Sequence, residues 1–343
     1  MGTWHSVALA VGLFGFALAA GAQDFHIEEV SAARDANVAN VKSGAVEFSD
    51  HTSAGGIASE TALTRFDSWT EQHPNEKKFL ALFPAYTEPT VDKSVNGATV
   101  HVTEKLYMYV AQARFILDKA PGSLDLARYV TLPFLEKIDP AVKHRLLAAA
   151  DVASFKDEAG AGNDNAERKW CSGRDASICI QSTYKFEGKI PVGIMLVNKL
   201  REGVKKVADH IDFQSELAVL APADLDQPGL QQLTALDTPI AGVLEQNIFY
   251  ANEIMKFGKL LAVFQAHPTD PGKTVVTAFM ALAIKASVLD EKRNFEKVPV
   301  LRNLVPAQVL MGQSSFNSGN SISAGLPKYA RNEITTIAGI LAK

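Results

Sequence analysis

The chain has 343 residues, 47% of them hydrophobic and 21% charged, with a formal net charge of −4. That is the composition of a globular protein with apolar material for one or two sizeable cores. It excludes the basic footprint of a nucleic-acid binder: Lys and Arg are spread out, and the densest pairs, Lys77-Lys78 and Lys205-Lys206, read as solvated faces.

The first residues read as an export signal. Val7 to Ala20 is an uncharged apolar run too short for a membrane span, and Ala20-Gly21-Ala22 supplies a small-x-small cleavage pattern before Gln23. The opening MGTWHS lacks a basic residue. Met1-Gly2 with Ser6 also fits a myristoylation pattern, but the apolar run and cleavage pattern outweigh that match. The expectation is a signal peptide over 1–22 and an exported chain, periplasmic or secreted, with no transmembrane segment after cleavage. Residues 23–60 are poor in large apolar side chains and read as a loosely ordered arm with a short strand at 44–48.

Residues 61–155 read as helical. Leu106, Val110, Ala113 and Leu117 share one helix face over 104–119, and Pro121-Gly122 ends that segment. A second segment runs over 124–130 until Pro133. Asp139-Pro140 reads as a cap followed by proline at the first helical position of a helix reaching 152. The polar stretch 156–168 (KDEAGAGNDNAER) reads as a linker; it lacks the EF-hand pattern.

From 169 to 343 the period changes. Cys171 and Cys179 form a closely spaced pair, which in an exported chain reads as a disulfide contributing roughly 2–3 kcal/mol. Alternation from Ile178 to Phe186 and from Ile211 to Val219 predicts two strands, with a short helix over 192–200 between them. A helical turn is expected at 230–236. The richest apolar stretch, 238–290, holds a helix over 242–256, a buried strand at 260–264, a turn at 267–273, and a strand from Val276 to Val288, the last two strands forming an antiparallel hairpin. Residues 311–325 read as a polar loop. Pro327 starts a last helix with Ala330, Ile334, Ile337, Ala338 and Leu341 on one face.

Few motifs carry chemistry. Ser182-Thr-Tyr-Lys185 matches S-x-x-K, but on a strand Ser182 and Lys185 occupy opposite faces. Ser323 lies in a near match to G-x-S-x-G whose first glycine is Ser321. Pro271-Gly272-Lys273-Thr274 fails the phosphate-loop pattern because His267 stands where a glycine is required. The histidines beyond residue 22 (His26, His51, His73, His101, His144, His210 and His267) share no metal-ligand spacing, so no metal and no cofactor is expected.

These readings define an α+β protein: a helical N-terminal half, and an antiparallel sheet in the C-terminal half closed by a C-terminal helix. A sheet gripping a long final helix is similar to the helix-grip architecture of START-like lipid-binding domains over roughly the last half of the chain. The expected function is non-enzymatic binding of a small apolar molecule or lipid between sheet and C-terminal helix. The aromatic-rich group Phe249, Tyr250, Phe257, Phe264, Phe279 and Met280 supplies the candidate lining. The alternatives are an exported serine hydrolase using Ser182 or Ser323, and an envelope interaction protein without a ligand.

Overall fold

Long runs with apolar residues on both parities build most of the molecule, and they build strands. The computed structural model describes residues 25–30, 41–49, 63–72, 90–103, 105–140, 142–148, 171, 176–185, 210–220, 223, 225–250, 255–286 and 322–343. Its elements in chain order are β1 (His26–Glu29), β2 (Ala45–Phe48), β3 (Thr64–Arg65), α1 (Phe66–Gln72), β4 (Thr90–Val95), β5 (Ala98–Thr103) and β6 (Leu106–Leu117). Two 3-10 turns follow at Pro121–Ser123 and Leu126–Tyr129. Then come α2 (Leu132–Ile138), β7 (Val142–Leu146), β8 (Ser177–Lys185), β9 (His210–Leu220), α3 (Gln227–Thr234), β10 (Ile240–Tyr250), β11 (Met255–Ala266), β12 (Thr274–Lys285) and α4 (Ile322–Leu341).

One sheet runs in the order β1-β2-β6-β12-β11-β10-β9-β8-β7, with β3 also beside β6. Strands β7 to β12 pair in sequence, each antiparallel to the next, and β6 lies antiparallel to β12 along its whole length, from Leu117 opposite Thr274 to Leu106 opposite Lys285. Among the described strands, only β1 and β2 pair in parallel. Strands β4 and β5 form a separate hairpin, turned by Asn96 and Gly97 at φ +51° and +80°, the left-handed conformations that a tight hairpin turn demands.

The sheet has two buried faces. On the inner face, Ala113 and Phe115 of β6, Val276 and Met280 of β12, Phe264 of β11, Leu244 of β10 and Ile180 of β8 join Ala330, Ile334, Ile337, Ala338 and Leu341 of α4 in one cluster. Burial of the three large aliphatic side chains of α4 contributes on the order of 1.5–3 kcal/mol each, before entropy costs. The outer face carries Met108, Phe279 and Leu261, covered by Trp69 of α1 and by Leu230 and Leu233 of α3. Buried Arg114 holds α3 in place by donating to Thr234 O at 2.5 Å and to Thr277 Oγ1 at 3.3 Å.

The expected strands at 44–48, 178–186, 211–219 and 276–288 correspond to β2, β8, β9 and β12 within the described residues, and the antiparallel hairpin and the buried face of the last helix are present. The helical N-terminal half is not. Residues 104–119 hold β6, because Leu106 and Met108 pack on the outer face while Tyr109, Ala111 and Ala113 pack on the inner one. Apolar residues on both parities of a strand imitate a helical stripe. Asp139-Pro140 does not open a helix. Asp139 instead caps the C-terminus of α2 and accepts from Val142 N at 3.1 Å, which turns the chain into β7. Pro133 does not interrupt a helix; it lies in the first turn of α2, where its missing N–H costs nothing. The segment 124–130 is a single 3-10 turn.

Within the expected helix 242–256, residues 242–250 belong to β10 and 255–256 to the start of β11. Glu245 and Asn247 interrupt the apolar run there, yet both are buried on the outer face. The last helix begins at Ile322, so 322–325 is helical and not loop. The signal segment 1–22, the polar stretch 156–168 and the short helix over 192–200 lie outside the described residues.

Candidate functional site

Cys171 and Cys179 are disulfide-bonded, with Cα atoms 5.6 Å apart, and the bond ties the chain ahead of β8 to that strand. The 267–273 turn is a hairpin connection held by its own side chains. His267 Nδ1 accepts from Thr269 N at 3.3 Å and Asp270 N at 3.2 Å, and Asp270 Oδ1 accepts from Gly272 N at 2.9 Å. This turn has a structural role, and the Gly-Lys-Thr sequence presents no phosphate cradle.

The members of the aromatic group whose side chains are described lie on two faces of the sheet. Phe264 and Met280 are buried in the cluster beneath α4, and Phe279 lies in the cluster on the opposite face with Trp69. Phe249 and Tyr250 end β10, and Phe257 lies near the start of β11, opposite Ala283.

A pocket opens instead where α4 crosses α2 and the β7–β10 end of the sheet. Its lining comprises Leu135, Ile138 and Asp139 from the end of α2, Val142 and His144 from β7, Phe213 from β9, Gln246 and Ile248 from β10, and Tyr329 and Glu333 from α4. The space is about 340 Å³ counting the part open to solvent, and its innermost part has room for roughly a water or two.

Register explains the polar floor. His144 stands directly opposite Ser182 in the β7–β8 pair, and its Nδ1 lies 2.8 Å from Ser182 Oγ. Ser182 is fully buried, and His144 Nε2 is buried without a hydrogen-bond partner. Burial lowers the His144 pKa and keeps the ring neutral. The charges of Glu136 and Asp139 oppose that shift, and Lys143 adds to it. Gln246 Nε2 donates to Ser215 Oγ at 3.0 Å.

Glu333 lies one helical turn after Tyr329. Its carboxyl is pushed up to about 7, chiefly by burial and next by the charge of Asp139, while a hydrogen bond from Tyr329 works the other way. Two titratable groups in one pocket are thus displaced in opposite directions, a pattern that marks functional clefts more often than filler.

The S-x-x-K reading of Ser182 and Lys185 is not met on the strand. Ser182 is fully buried within the sheet, and Lys185 follows it at an odd offset on the same strand. Ser323 lies in the first turn of α4. Among the described residues, no group of three or more His, Cys, Asp or Glu side chains is placed to hold a metal ion.

The chain is thus a sheet-dominated α+β protein closed by a C-terminal helix, an arrangement that fits the helix-grip form. No protein-family model matches it, and neither does any curated protein. Among solved structures it is similar to Ara h 8.0201, at 10% identity and a TM-score of 0.29, over 68% of this chain and 97% of that one. It is also similar to norcoclaurine synthase from Thalictrum flavum, solved with dopamine and hydroxybenzaldehyde, at 8% identity and a TM-score of 0.27, over 67% of this chain and 86% of that one. At such scores the architecture rests on the strand order and the packing of α4 alone.

Proposed function

We propose that this protein binds a small, largely apolar molecule at the β7–β10 end of the helix–sheet interface, with the ligand's polar end in the pocket. One observation carries the reading: apolar walls from Leu135, Val142, Phe213 and Ile248 surround a polar floor on which His144 Nε2 is buried and unpartnered. An unmet buried polar atom costs on the order of 1–3 kcal/mol, which a bound partner would recover. Beneath the middle of α4 the side chains of Phe264, Met280 and Ile334 belong to one packed cluster, so the ligand is placed at the end of the helix–sheet layer and not along it. Native mass spectrometry of protein purified gently from its own host should show a bound small molecule. Val142→Trp, which fills the pocket from β7, should lose that mass while keeping its far-ultraviolet circular dichroism and a cooperative thermal transition. A clean apo mass for the unmodified chain overturns the reading.

We also infer that the chain is exported. The apolar run Val7–Ala20, the Ala20-Gly21-Ala22 pattern and the Cys171–Cys179 bond support this, since structural disulfides persist in oxidising compartments.

A further inference from the structure

The pocket has two polar sides, one from the sheet and one from the last helix. On the sheet side, His144 Nδ1 is engaged with Ser182 Oγ at 2.8 Å, while Nε2 is buried without a partner. On the helix side, the Tyr329 hydroxyl is hydrogen-bonded to the Glu333 carboxyl. Burial is the leading cause of both displaced titrations: it lowers that of His144 and raises that of Glu333 to about 7. Each shift favours the uncharged form, so the recess resists charge on either side.

Building on the ligand-binding reading above, we propose that the pocket recognises an uncharged hydroxyl carried on a compact apolar group. Size is the first reason. The innermost space has room for roughly a water or two, which suits a head of one oxygen and crowds a carboxylate or a phosphate.

Hydrogen-bond chemistry is the second reason. His144 Nε2 accepts when Nδ1–H donates to Ser182 Oγ, and it donates when the Ser182 hydroxyl donates to Nδ1. A hydroxyl carries one donor and two lone pairs, so it completes Nε2 in either tautomer. It also meets the helix side on both counts, because the Tyr329 hydroxyl and a protonated Glu333 each donate and accept. An ammonium only donates and an ionised carboxylate only accepts. Either would also carry a charge into a recess where burial already displaces two resident groups toward neutrality. The walls from Leu135, Phe213 and Ile248 take the apolar group behind the hydroxyl.

Four probes of similar shape test this by NMR titration of the whole chain at pH 6: benzyl alcohol, ethylbenzene, benzylamine and benzoate. The amine and the carboxylate are both ionised at that pH. Benzyl alcohol should bind about tenfold tighter than either of them. His144→Leu keeps an apolar side chain of similar bulk and removes the ring nitrogens. The affinity of benzyl alcohol relative to ethylbenzene should fall about tenfold in that variant, a comparison that a general loosening of the pocket leaves unmoved. Ser182→Ala removes only the hydroxyl that orients the ring and should lower the same ratio about threefold, which keeps the test open if His144→Leu folds poorly. Benzylamine or benzoate binding as tightly as benzyl alcohol overturns the hydroxyl assignment and leaves the pocket reading standing. A ratio unchanged in the folded variants does the same. Failure of all four probes to bind overturns both.

Discussion

The two faces of the sheet bury their residues by different chemistry. On the inner face α4 meets alanine, phenylalanine, valine and methionine, buried Arg331 of α4 donates to the Tyr109 hydroxyl, and a polar recess lies at one end, around His144 and Glu333. The outer face has apolar residues over β6 and β12 but a buried polar row over β9, β10 and β11. There Glu216, Asn247 and Lys259 stand side by side in register, with Glu245 two residues away on β10. Lys259 Nζ donates to Asn247 Oδ1 at 2.8 Å and lies 3.7 Å from Glu245 Oε2, both charged side chains being fully buried. Apolar packing tolerates sliding and repacking, whereas a buried ion pair demands one partner at one place. The outer row therefore pins the register of the central strands, while the inner face supplies bulk stability and leaves one polar recess.

The sharpest way to break that contrast is Lys259→Ala. It removes the ammonium beside buried Glu245 and the donor to Asn247, which should cost about 3–5 kcal/mol. Urea denaturation followed by circular dichroism measures it. A loss below about 1 kcal/mol would mean that the outer row is hydrated and does not act as a register pin.

A smaller effect is expected on the inner face. Ile334→Ala removes a side chain that is 1% exposed between α4 and the sheet. The cost should be about 2–4 kcal/mol, with the spread set by how far the helix settles into the gap. The same denaturation series reads it. The two losses should add within about 0.5 kcal/mol, because the residues lie on opposite sides of the sheet. Strong coupling between them would show that the faces are not independent layers.

The same contrast explains what the sequence announces and what it hides. The buried face of α4 is legible residue by residue, from Ala330 to Leu341, because its other face is polar enough to set the period. Strands β8, β9 and β12 are legible for the matching reason at period two. Strand β6 is hidden by double burial: Met108 and Phe115 face opposite cores, and a strand apolar on both sides carries no alternation to read. Strand β10 is hidden by Glu245 and Asn247, which meet Lys259 only across the β10–β11 strand pair. The pocket is illegible for a related reason. His144 meets Ser182 only through the β7–β8 register, and 139–152 has the composition of a helix. Nothing local marks Glu333 as partly buried, since a glutamate one turn after Tyr329 reads as solvated surface.

The subtlest test sits at that glutamate and uses pH. The folded-state pKa of Glu333 is raised, to about 7 from an ordinary 4.5, so the folded chain holds this proton more tightly than the unfolded chain does. Stability from that proton is fully present below the unfolded value and is lost as the pH climbs through about 7. His144 acts in the opposite sense: its lowered pKa contributes stability above the ordinary histidine value, and that contribution is lost as the pH falls through its folded value. Glu333→Gln separates the two, because a glutamine stands in for the protonated carboxyl at every pH. Near pH 5 the variant should match the parent within about 0.5 kcal/mol. Near pH 8 it should be more stable by about 1–3 kcal/mol, read as a higher Tm by differential scanning calorimetry. A stabilisation that is equal at both pH values would mean that Glu333 titrates as a solvated carboxylate, and the polar end of the inner face would then differ from the outer row by exposure and not by design of its charges.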